Sequence, residues 1–230
     1  MWTHHSIPGA QCLAALAILP LPRVVLLPGM TLPINVHEPP ALALLDHIRH
    51  HGQHLGVPFV APGDPLPRVF TVARLLSHVE ISATRRMIRV VGVARVEAVH
   101  EAPDPRPFRV LAVHALAEPP PTDALQLAIL RAQVGRILAD CGDAGLGLRT
   151  LLAVRDDRVF LYTLTACLPA LELMPLQGLG DAELDPDDLT RAQQQSLAAA
   201  TADERAALLV ARTAAVLVGL TRTRRGAVLH

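Results

Sequence analysis

The stretch VVLLPGMTLPINVHEPP, residues 24–40, decides the fold expected for the first half of the chain. Its Pro28-Gly29 pair is a turn signal. Aliphatic side chains then recur at every second position, at Leu32, Ile34 and Val36, which is the period of a half-buried β-strand. The two prolines that end the stretch suit the first turn of a helix. The stretch therefore predicts a turn, a strand and the start of a helix.

Around this stretch the sequence predicts one helix among several short strands. The helix continues from the prolines to about His51, and Gly52 is placed to end it. The other strand candidates are aliphatic segments separated by proline, glycine and aspartate: residues 57–60, 69–76, 88–98 and 109–116. Within residues 88–98, apolar or small side chains alternate with polar ones, so Arg89, Arg95 and Glu97 are expected on the polar face.

The run EPPPT, residues 118–122, predicts a stiff connector, because proline removes backbone donors and favours extended geometry. After it, apolar residues recur at helical spacing. Four helices are expected: one that ends near Cys141-Gly142, one from Asp156-Asp157 that Pro169 stops, one from Asp185-Pro186 to about Ala200, and one with a Thr201–Glu204 capping box that reaches about Leu220.

These patterns predict an α+β fold in which a β-rich lobe precedes an α-helical bundle. The expected divisions are an N-terminal tail (residues 1–16), the β-rich lobe (17–118), a proline linker (119–121), the helical lobe (122–222) and a C-terminal tail (223–230).

The composition excludes several classes of function. All 21 basic residues are arginine and they balance 21 acidic residues, so no broad electrostatic field favours nucleic acid or an anionic membrane. The lack of lysine excludes a P-loop and a Ser-Lys dyad, because both depend on a lysine amine. Aromatic residues make up 3% of the chain, which leaves few platforms for bases. The apolar run at residues 12–19 lacks a basic segment before it, so a cytoplasmic protein without a signal peptide is expected.

Two clusters look chemical but have simpler interpretations. The histidines at 47, 50, 51 and 54 have the spacing of metal ligands on a helix. They lack an accompanying carboxylate or cysteine, and imidazoles are favoured near a helix C-terminus by the macrodipole and the free carbonyls. Ser77, His78 and Glu80 are close in sequence, but adjacent side chains of a strand point to opposite faces and do not form a triad.

Two charge clusters are interpreted in the same way. The acidic run of Asp181, Glu183, Asp185, Asp187 and Asp188 lacks the glycine and terminal glutamate of a calcium loop, which favours a solvated loop. The arginines at 85, 86 and 89 and those at 222, 224 and 225 form clusters too short to dominate binding to phosphates. No catalytic residue, metal or cofactor is therefore expected.

Several segments, in chain order, resemble the N-terminal substrate-recognition domain of the Lon protease family. They are residues 19–39, with their LLPG and HEP elements, the strands TVARL (71–75) and IRVVGVARV (88–96), and the helical segments 165–169 and 197–205. The resemblance covers about residues 17–220. Two positions depart from the family pattern, since Pro40 stands where arginine is frequent and Phe70 stands where glycine precedes the threonine.

The resemblance implies a β-rich lobe similar to the pseudouridine-synthase-and-archaeosine-transglycosylase (PUA) fold, joined to a helical lobe. It implies a stand-alone, non-catalytic protein that binds flexible or unfolded polypeptide. Met30 and Leu32 are expected to contact that polypeptide. The remaining motif residues are expected to be structural, namely Pro28, Gly29, Pro33, Glu38, Gly92 and Arg95, and Glu38 is predicted to pair with Arg95.

Two alternatives remain open. The chain could be an adaptor or regulator that docks on a separate protease or on itself through its final helix. It could also be an RNA-binding or small-ligand-binding protein of the PUA-like type, which rests on fold analogy alone.

Overall fold

The computed structural model describes residues 12–61, 63–141, 149–173 and 186–227. The chain divides into two compact units between Ala117 and Glu118, immediately before the prolines at 119–121. We call residues 12–117 the β unit and residues 118–227 the helical unit. The expected α+β class, with a sheet followed by helices, is confirmed.

Within its described residues the β unit contains six strands and one helix: β1 (Cys12–Ile18), β2 (Thr31–Val36), α1 (Pro39–His50), β3 (His54–Val57), β4 (Val69–Ser82), β5 (Arg85–Glu101) and β6 (Arg109–Ala115). The strand order is β2-β5-β4-β3-β1-β6, and β5 also pairs with β6. Five strands therefore close on themselves, and β2 lies outside this ring beside the first half of β5. All pairs are antiparallel except β1 with β3.

The strand β1 begins at Cys12, within the residues 1–16 that the sequence assigned to an N-terminal tail. Leu16 and Ile18 pack into one apolar cluster, whereas Ala17 and Leu19 pack into another on the opposite face. A strand that is buried on both faces shows a continuous apolar run rather than alternation. The strand β1 therefore lacks the alternation of apolar and polar residues that identifies β2.

Two apolar clusters fill the two faces of the sheet in the β unit. One contains α1, through Leu44, Leu45 and Ile48, packed against residues of β2, β4 and β5. The other contains Phe70 and Val72 of β4 together with residues of β1, β5 and β6. The helix α1 begins at Pro39 and ends before Gly52, as the sequence predicted. The strand β3 comes earlier than the segment 57–60 predicted for it.

The helical unit contains α2 (Ala124–Cys141), α3 (Arg149–Leu152), α4 (Asp157–Leu173), α5 (Pro186–Ala198) and α6 (Ala202–Ala227). Its core is mainly aliphatic, and Leu130, Val134, Leu164 and Leu209 are fully buried, as is Phe160. The predicted capping box is present, because Thr201 Oγ1 accepts a hydrogen bond from Glu204 N and Glu204 Oε2 accepts one from Ala200 N. The helix α6 continues to Ala227, past residue 223, where the sequence placed the start of a C-terminal tail.

Pro169 does not stop α4, contrary to the sequence prediction. Proline inside a helix removes the hydrogen bond to the carbonyl four residues earlier, here that of Thr165. Gln193 of α5 supplies a replacement, because its Nε2 donates to the carbonyl oxygens of Thr165 at 3.1 Å and of Ala166 at 3.3 Å. The donor comes from a helix distant in sequence, so local sequence signals could not reveal it.

A buried arginine organises the start of the helical unit. Arg205 is fully buried, and its Nε donates to the Ser196 carbonyl at 3.0 Å. Its Nη1 lies 3.4 Å from Glu118 Oε2, and its guanidinium carbon lies 4.4 Å from the centre of the Tyr162 ring. Tyr162 also donates to Glu118 Oε1 at 2.6 Å. These contacts fix the residue that precedes the prolines onto the helices α4 and α6.

Candidate functional site

The turn at Pro28-Gly29 is bonded directly to β5 at Gly92. Gly29 N donates to the Gly92 carbonyl at 2.8 Å, and Gly92 N donates to the Met30 carbonyl at 2.9 Å. A Cβ atom at position 92 would lie 2.2 Å from the carbonyl oxygen of Leu27, so only glycine fits this close approach. Gly29 has a φ of 80°, which also favours glycine. The turn is therefore a structural element that fixes the start of β2.

Thr71 and Arg95 lie beside the same turn. Thr71 Oγ1 donates to the Leu26 carbonyl at 2.6 Å, and Thr71 is opposite Arg95 in the pairing of β4 with β5. Arg95 was expected on a polar face, but it is 1% exposed. The reason is a bulge: Ala73 pairs with Gly92 and Val72 with Ala94, so Val93 is an extra residue of β5. The bulge reverses the alternation and places Arg95 on the buried face.

The predicted ion pair between Glu38 and Arg95 was wrong. Glu38 follows β2, whose last residue, Val36, is opposite Arg86 of β5. Arg95 lies roughly 30 Å further along that strand, since a strand rises about 3.3 Å per residue. Glu38 is exposed and precedes the first turn of α1, where its carbonyl accepts a hydrogen bond from Leu42 N. The HEP element therefore starts the helix.

Met30 and Leu32 are both partly buried against the cluster that contains α1. Leu32 is opposite the fully buried Val90, on the same face as Ile34 and Val36. Their predicted role in contacting polypeptide stays a prediction, because each side chain contributes to the core and keeps some exposed surface.

The opposite face of the same three strands is exposed. Pro33 of β2 is opposite Arg89 of β5, Met87 of β5 is opposite Val79 of β4, and Val91 of β5 is opposite Arg74 of β4. Directly opposite residues share a face of the sheet. We call the surface formed by Pro33, Arg74, Val79, Met87 and Arg89 the open face. Val79 is 60% and Met87 46% exposed, which is high for side chains of this type.

Two further aliphatic side chains extend the apolar surface of the β4–β5 hairpin. Leu76 and Ile81 are extra residues at bulges of β4, and they are 45% and 49% exposed. The hairpin projects beyond β3 and β6, because β3 pairs with β4 only up to Arg74 and β6 pairs with β5 only from Val96 onward. The face of β4 that is buried at the start of the strand, at Phe70 and Val72, therefore becomes accessible near its end, at Val79.

The charges of the hairpin are distributed unequally between its two faces. Arg86 lies on the face covered by α1, and it contacts both Asp46 of α1 and Glu80 of β4. The neighbouring carboxylates are thereby drawn to that face. Arg85 instead donates through Nε to Asn35 Oδ1 at 3.0 Å, beside the open face. Among the described residues, the side chains of Arg74 and Arg89 make no ion pair.

A second arrangement of charges surrounds His47 of α1. Arg106 Nη1 lies 2.7 Å from His47 Nε2, and Asp104 accepts two hydrogen bonds from the same guanidinium. Burial, then the charges of Arg106 and His51, lower the pKa of His47, and the hydrogen bonds from Arg106 lower the pKa of Asp104 to about 2. The adjacent depression of about 520 Å³ includes Arg109, which pairs with Glu101 at 2.7 Å. These charges are mutually compensated.

The other polar clusters of the sequence give no centre for chemistry in the described ranges. His51 Nδ1 bonds the His47 carbonyl at 2.7 Å, as expected at a helix end. Within residues 12–61, 63–141, 149–173 and 186–227, no group of three metal-binding side chains comes together. Asp188 pairs with Arg191, whereas Asp181, Glu183 and Asp185 lie outside the described residues, as do the side chains of Asp187 and the arginines at 222, 224 and 225. No helix in the described ranges is long and apolar enough to cross a bilayer.

Sequence reasoning missed the open face. Its signal was present, because apolar residues at 79, 81 and 87 extend the strands beyond the segments 69–76 and 88–98 chosen for them. Pro33 was expected to be structural, and the structure places it at the exposed centre of β2. Arg89 was assigned correctly to a polar face, but its apolar neighbours on that face were not recognised.

Comparisons with known proteins match this architecture. The family model for the ATP-dependent protease La (LON) substrate-binding domain matches residues 15–219. Among solved structures, the N-terminal domain of Mycobacterium avium complex Lon protease has a TM-score of 0.64 at 18% identity, covering 87% of this chain and 98% of that one. The Lon N-terminal domain protein from Xanthomonas campestris has a TM-score of 0.58 at 19% identity, covering 86% and 98%. Comparison with curated protein sequences gave no significant match.

Proposed function

The chain belongs to the family of Lon substrate-binding domains, and from this premise we propose that it binds flexible or unfolded polypeptide through the open face, without catalysis of its own. The proposal includes a cytoplasmic location. The lack of lysine supports the non-catalytic part, because neither a Ser-Lys dyad nor a P-loop can be built from these residues.

The observation that carries the proposal is the exposure of apolar side chains on an otherwise well-buried sheet. Val79, Met87, Leu76 and Ile81 are each 45–60% exposed on one hairpin. Contiguous apolar surface of this kind marks interaction sites in soluble proteins. The helix α1 covers one face of these strands and leaves the opposite one, the open face, accessible.

The free edge of β2 gives an extended segment a place to align. Among the described strands, β2 pairs with β5 alone. Gly92 N bonds the Met30 carbonyl, so even-numbered residues of β2 bond to β5 and the backbone groups of Thr31, Pro33 and Asn35 point outward. A segment added at this edge can receive hydrogen bonds from the N–H groups of Thr31 and Asn35. Its side chains then lie beside the open face.

The test measures binding of a fluorescein-labelled peptide of alternating Leu and Thr by fluorescence anisotropy. The double variant Val79→Ser, Met87→Ser is expected to weaken binding at least about tenfold, because each side chain loses about 1 kcal/mol of apolar burial. Val99→Ser is the matched control, since Val99 is 50% exposed at a bulge near the other end of β5. Equal loss in both variants, or none in the double variant, would refute the role of the open face.

The variant Met30→Ser tests whether polypeptide contacts the region of Met30 and Leu32, as the sequence predicted, as well as the open face. If Met30 contacts polypeptide, this variant weakens binding while the unfolding midpoint of the protein stays close to that of the wild type. If the contribution of Met30 is to the core, the midpoint falls and affinity in the folded protein is unchanged.

The adaptor alternative has one observation in its favour. Leu208 and Val218 of α6 are 41% and 52% exposed, and the exposed Ala211 and Ala215 lie between them. This stripe could serve contact with another protein or a second copy. Size-exclusion chromatography with light scattering separates these cases, because a mass twice that of the chain would support self-association.

A further inference from the structure

The open face combines apolar and cationic side chains in a regular order. Along β5, Arg85, Met87, Arg89 and Val91 stand on the same face, each about 6.7 Å from the next. Cationic and apolar positions therefore alternate along one side of the strand. Across the sheet, Val79 is opposite Met87 and Arg74 is opposite Val91, so the neighbouring strand adds an apolar and a cationic position.

The positive charge of this surface is not neutralised within the described residues. Arg89 is exposed and Arg74 is half-buried. Within the described residues, neither side chain makes a hydrogen bond or an ion pair. Glu80 and Asp46 contact Arg86, on the opposite side of the sheet. A bound segment therefore meets cations for which the β unit provides no counter-charge.

We infer that the open face selects extended polypeptide segments in which acidic and aliphatic side chains alternate along one side of the strand. This inference rests on the proposed function and adds the class of client. In an extended chain, every second residue lies on the same side, so the complementary segment has Glu or Asp at i and i+4 and an aliphatic residue at i+2. The segment lies over the open face rather than in register beside β2, so that its acidic residues reach Arg85 and Arg89 and its aliphatic residue contacts Met87 and Val79.

Polypeptide fits this surface better than nucleic acid does. The open face contains no aromatic side chain on which a base could stack, and its apolar residues would remain uncovered by a phosphate backbone. A peptide satisfies both features, because it supplies carboxylates and aliphatic side chains at the same spacing.

The test uses three labelled peptides with Thr on one side of the strand. The first has Glu and Leu in alternation on the other side, the second has Lys in place of Glu, and the third has the same composition as the first with Glu moved to the Thr side. At low salt we expect the first peptide to bind roughly tenfold tighter than the second and several-fold tighter than the third, with the difference reduced in about 1 M salt.

Protein variants assign this preference to the arginines. The double variant Arg85→Gln, Arg89→Gln is expected to bind the Glu and Lys peptides within about twofold of each other, whereas Arg85→Lys, Arg89→Lys retains the preference. Arg49→Gln is the matched control, because Arg49 is exposed on α1 and has no ion pair among the described residues. Far-UV circular dichroism verifies that each variant is folded.

The outcomes separate this inference from the proposed function. If the Glu and Lys peptides bind equally and Val79→Ser, Met87→Ser weakens both, the open face binds polypeptide and the acidic preference is refuted. If no peptide binds, the proposed function of the open face fails as well. If an RNA oligonucleotide displaces the Glu peptide and binds unchanged to Val79→Ser, Met87→Ser, the surface is an anion site and the inference is overturned.

Discussion

Gly92→Ala is expected to destabilise the β unit by about 2–4 kcal/mol. A Cβ atom at this position would lie 2.2 Å from the Leu27 carbonyl oxygen and 3.1 Å from Thr71 Cγ2. The clash is with a backbone atom, which cannot rotate aside as a side chain can, so the turn must move away from β5. Overpacking of this kind costs about 1–3 kcal/mol. Loss of one of the two hydrogen bonds between Gly92 and the turn adds about 1 kcal/mol.

Gly135→Ala is the matched control for this substitution. Gly135 lies inside α2, and an added Cβ would meet only Leu152 Cδ1 at an ordinary distance of 3.8 Å. Alanine is the better helix former by about 1 kcal/mol, so this variant is expected to stabilise the helical unit. The same chemical change therefore has opposite effects in the two units.

Urea unfolding followed by circular dichroism measures both variants, and hydrogen exchange assigns each change to its unit. The two units have separate cores, so their transitions need not coincide. In Gly92→Ala, faster exchange is expected in β4, β5 and the turn at Pro28-Gly29. A wild-type midpoint and unchanged exchange in these segments would refute the argument that the turn requires the close approach at Gly92.

Three further outcomes are expected. The pKa of His47 is lowered in the folded protein, so the unfolded chain takes up the proton first, and stability decreases as pH falls below about 6.5. In urea unfolding at a series of pH values, His47→Gln should flatten this dependence of stability on pH. An unchanged slope would contradict the prediction. Arg205→Met is expected to destabilise the helical unit by roughly 2–4 kcal/mol, because Glu118 and the Ser196 carbonyl lose a buried partner; a wild-type melting temperature would show that the contacts contribute nothing net. Partial burial raises the pKa of the Cys167 thiol, so alkylation at pH 8 should be slower than in urea, and equal rates measured by mass spectrometry would contradict this.

The sequence predicts the parts of the fold that depend on local pattern. The alternation at Leu32, Ile34 and Val36 identifies β2, the prolines identify the start of α1, and Thr201 with Glu204 identifies the start of α6. Each signal acts within a few residues of the structure that it specifies.

The errors come from features that depend on distant parts of the chain. Simple alternation across residues 88–98 predicts Arg95 on the polar face, although Arg95 is buried. The error arises because nothing in the local sequence signals the bulge at Val93. Pro169 is accommodated with the help of Gln193, whose side chain bonds the Thr165 carbonyl that the proline leaves without its helical partner. The apolar residues Val79 and Met87 identify strands, but which face α1 covers is decided by tertiary packing.

The proline at the centre of β2 limits strand addition at this edge. An unpaired strand edge risks templating long sheets, since it offers a continuous row of donors and acceptors. Pro33 interrupts that row, because it has no N–H and its backbone groups point outward between those of Thr31 and Asn35. Strand addition at this edge would therefore suit a short segment, because a longer stack would lack one donor at its middle position.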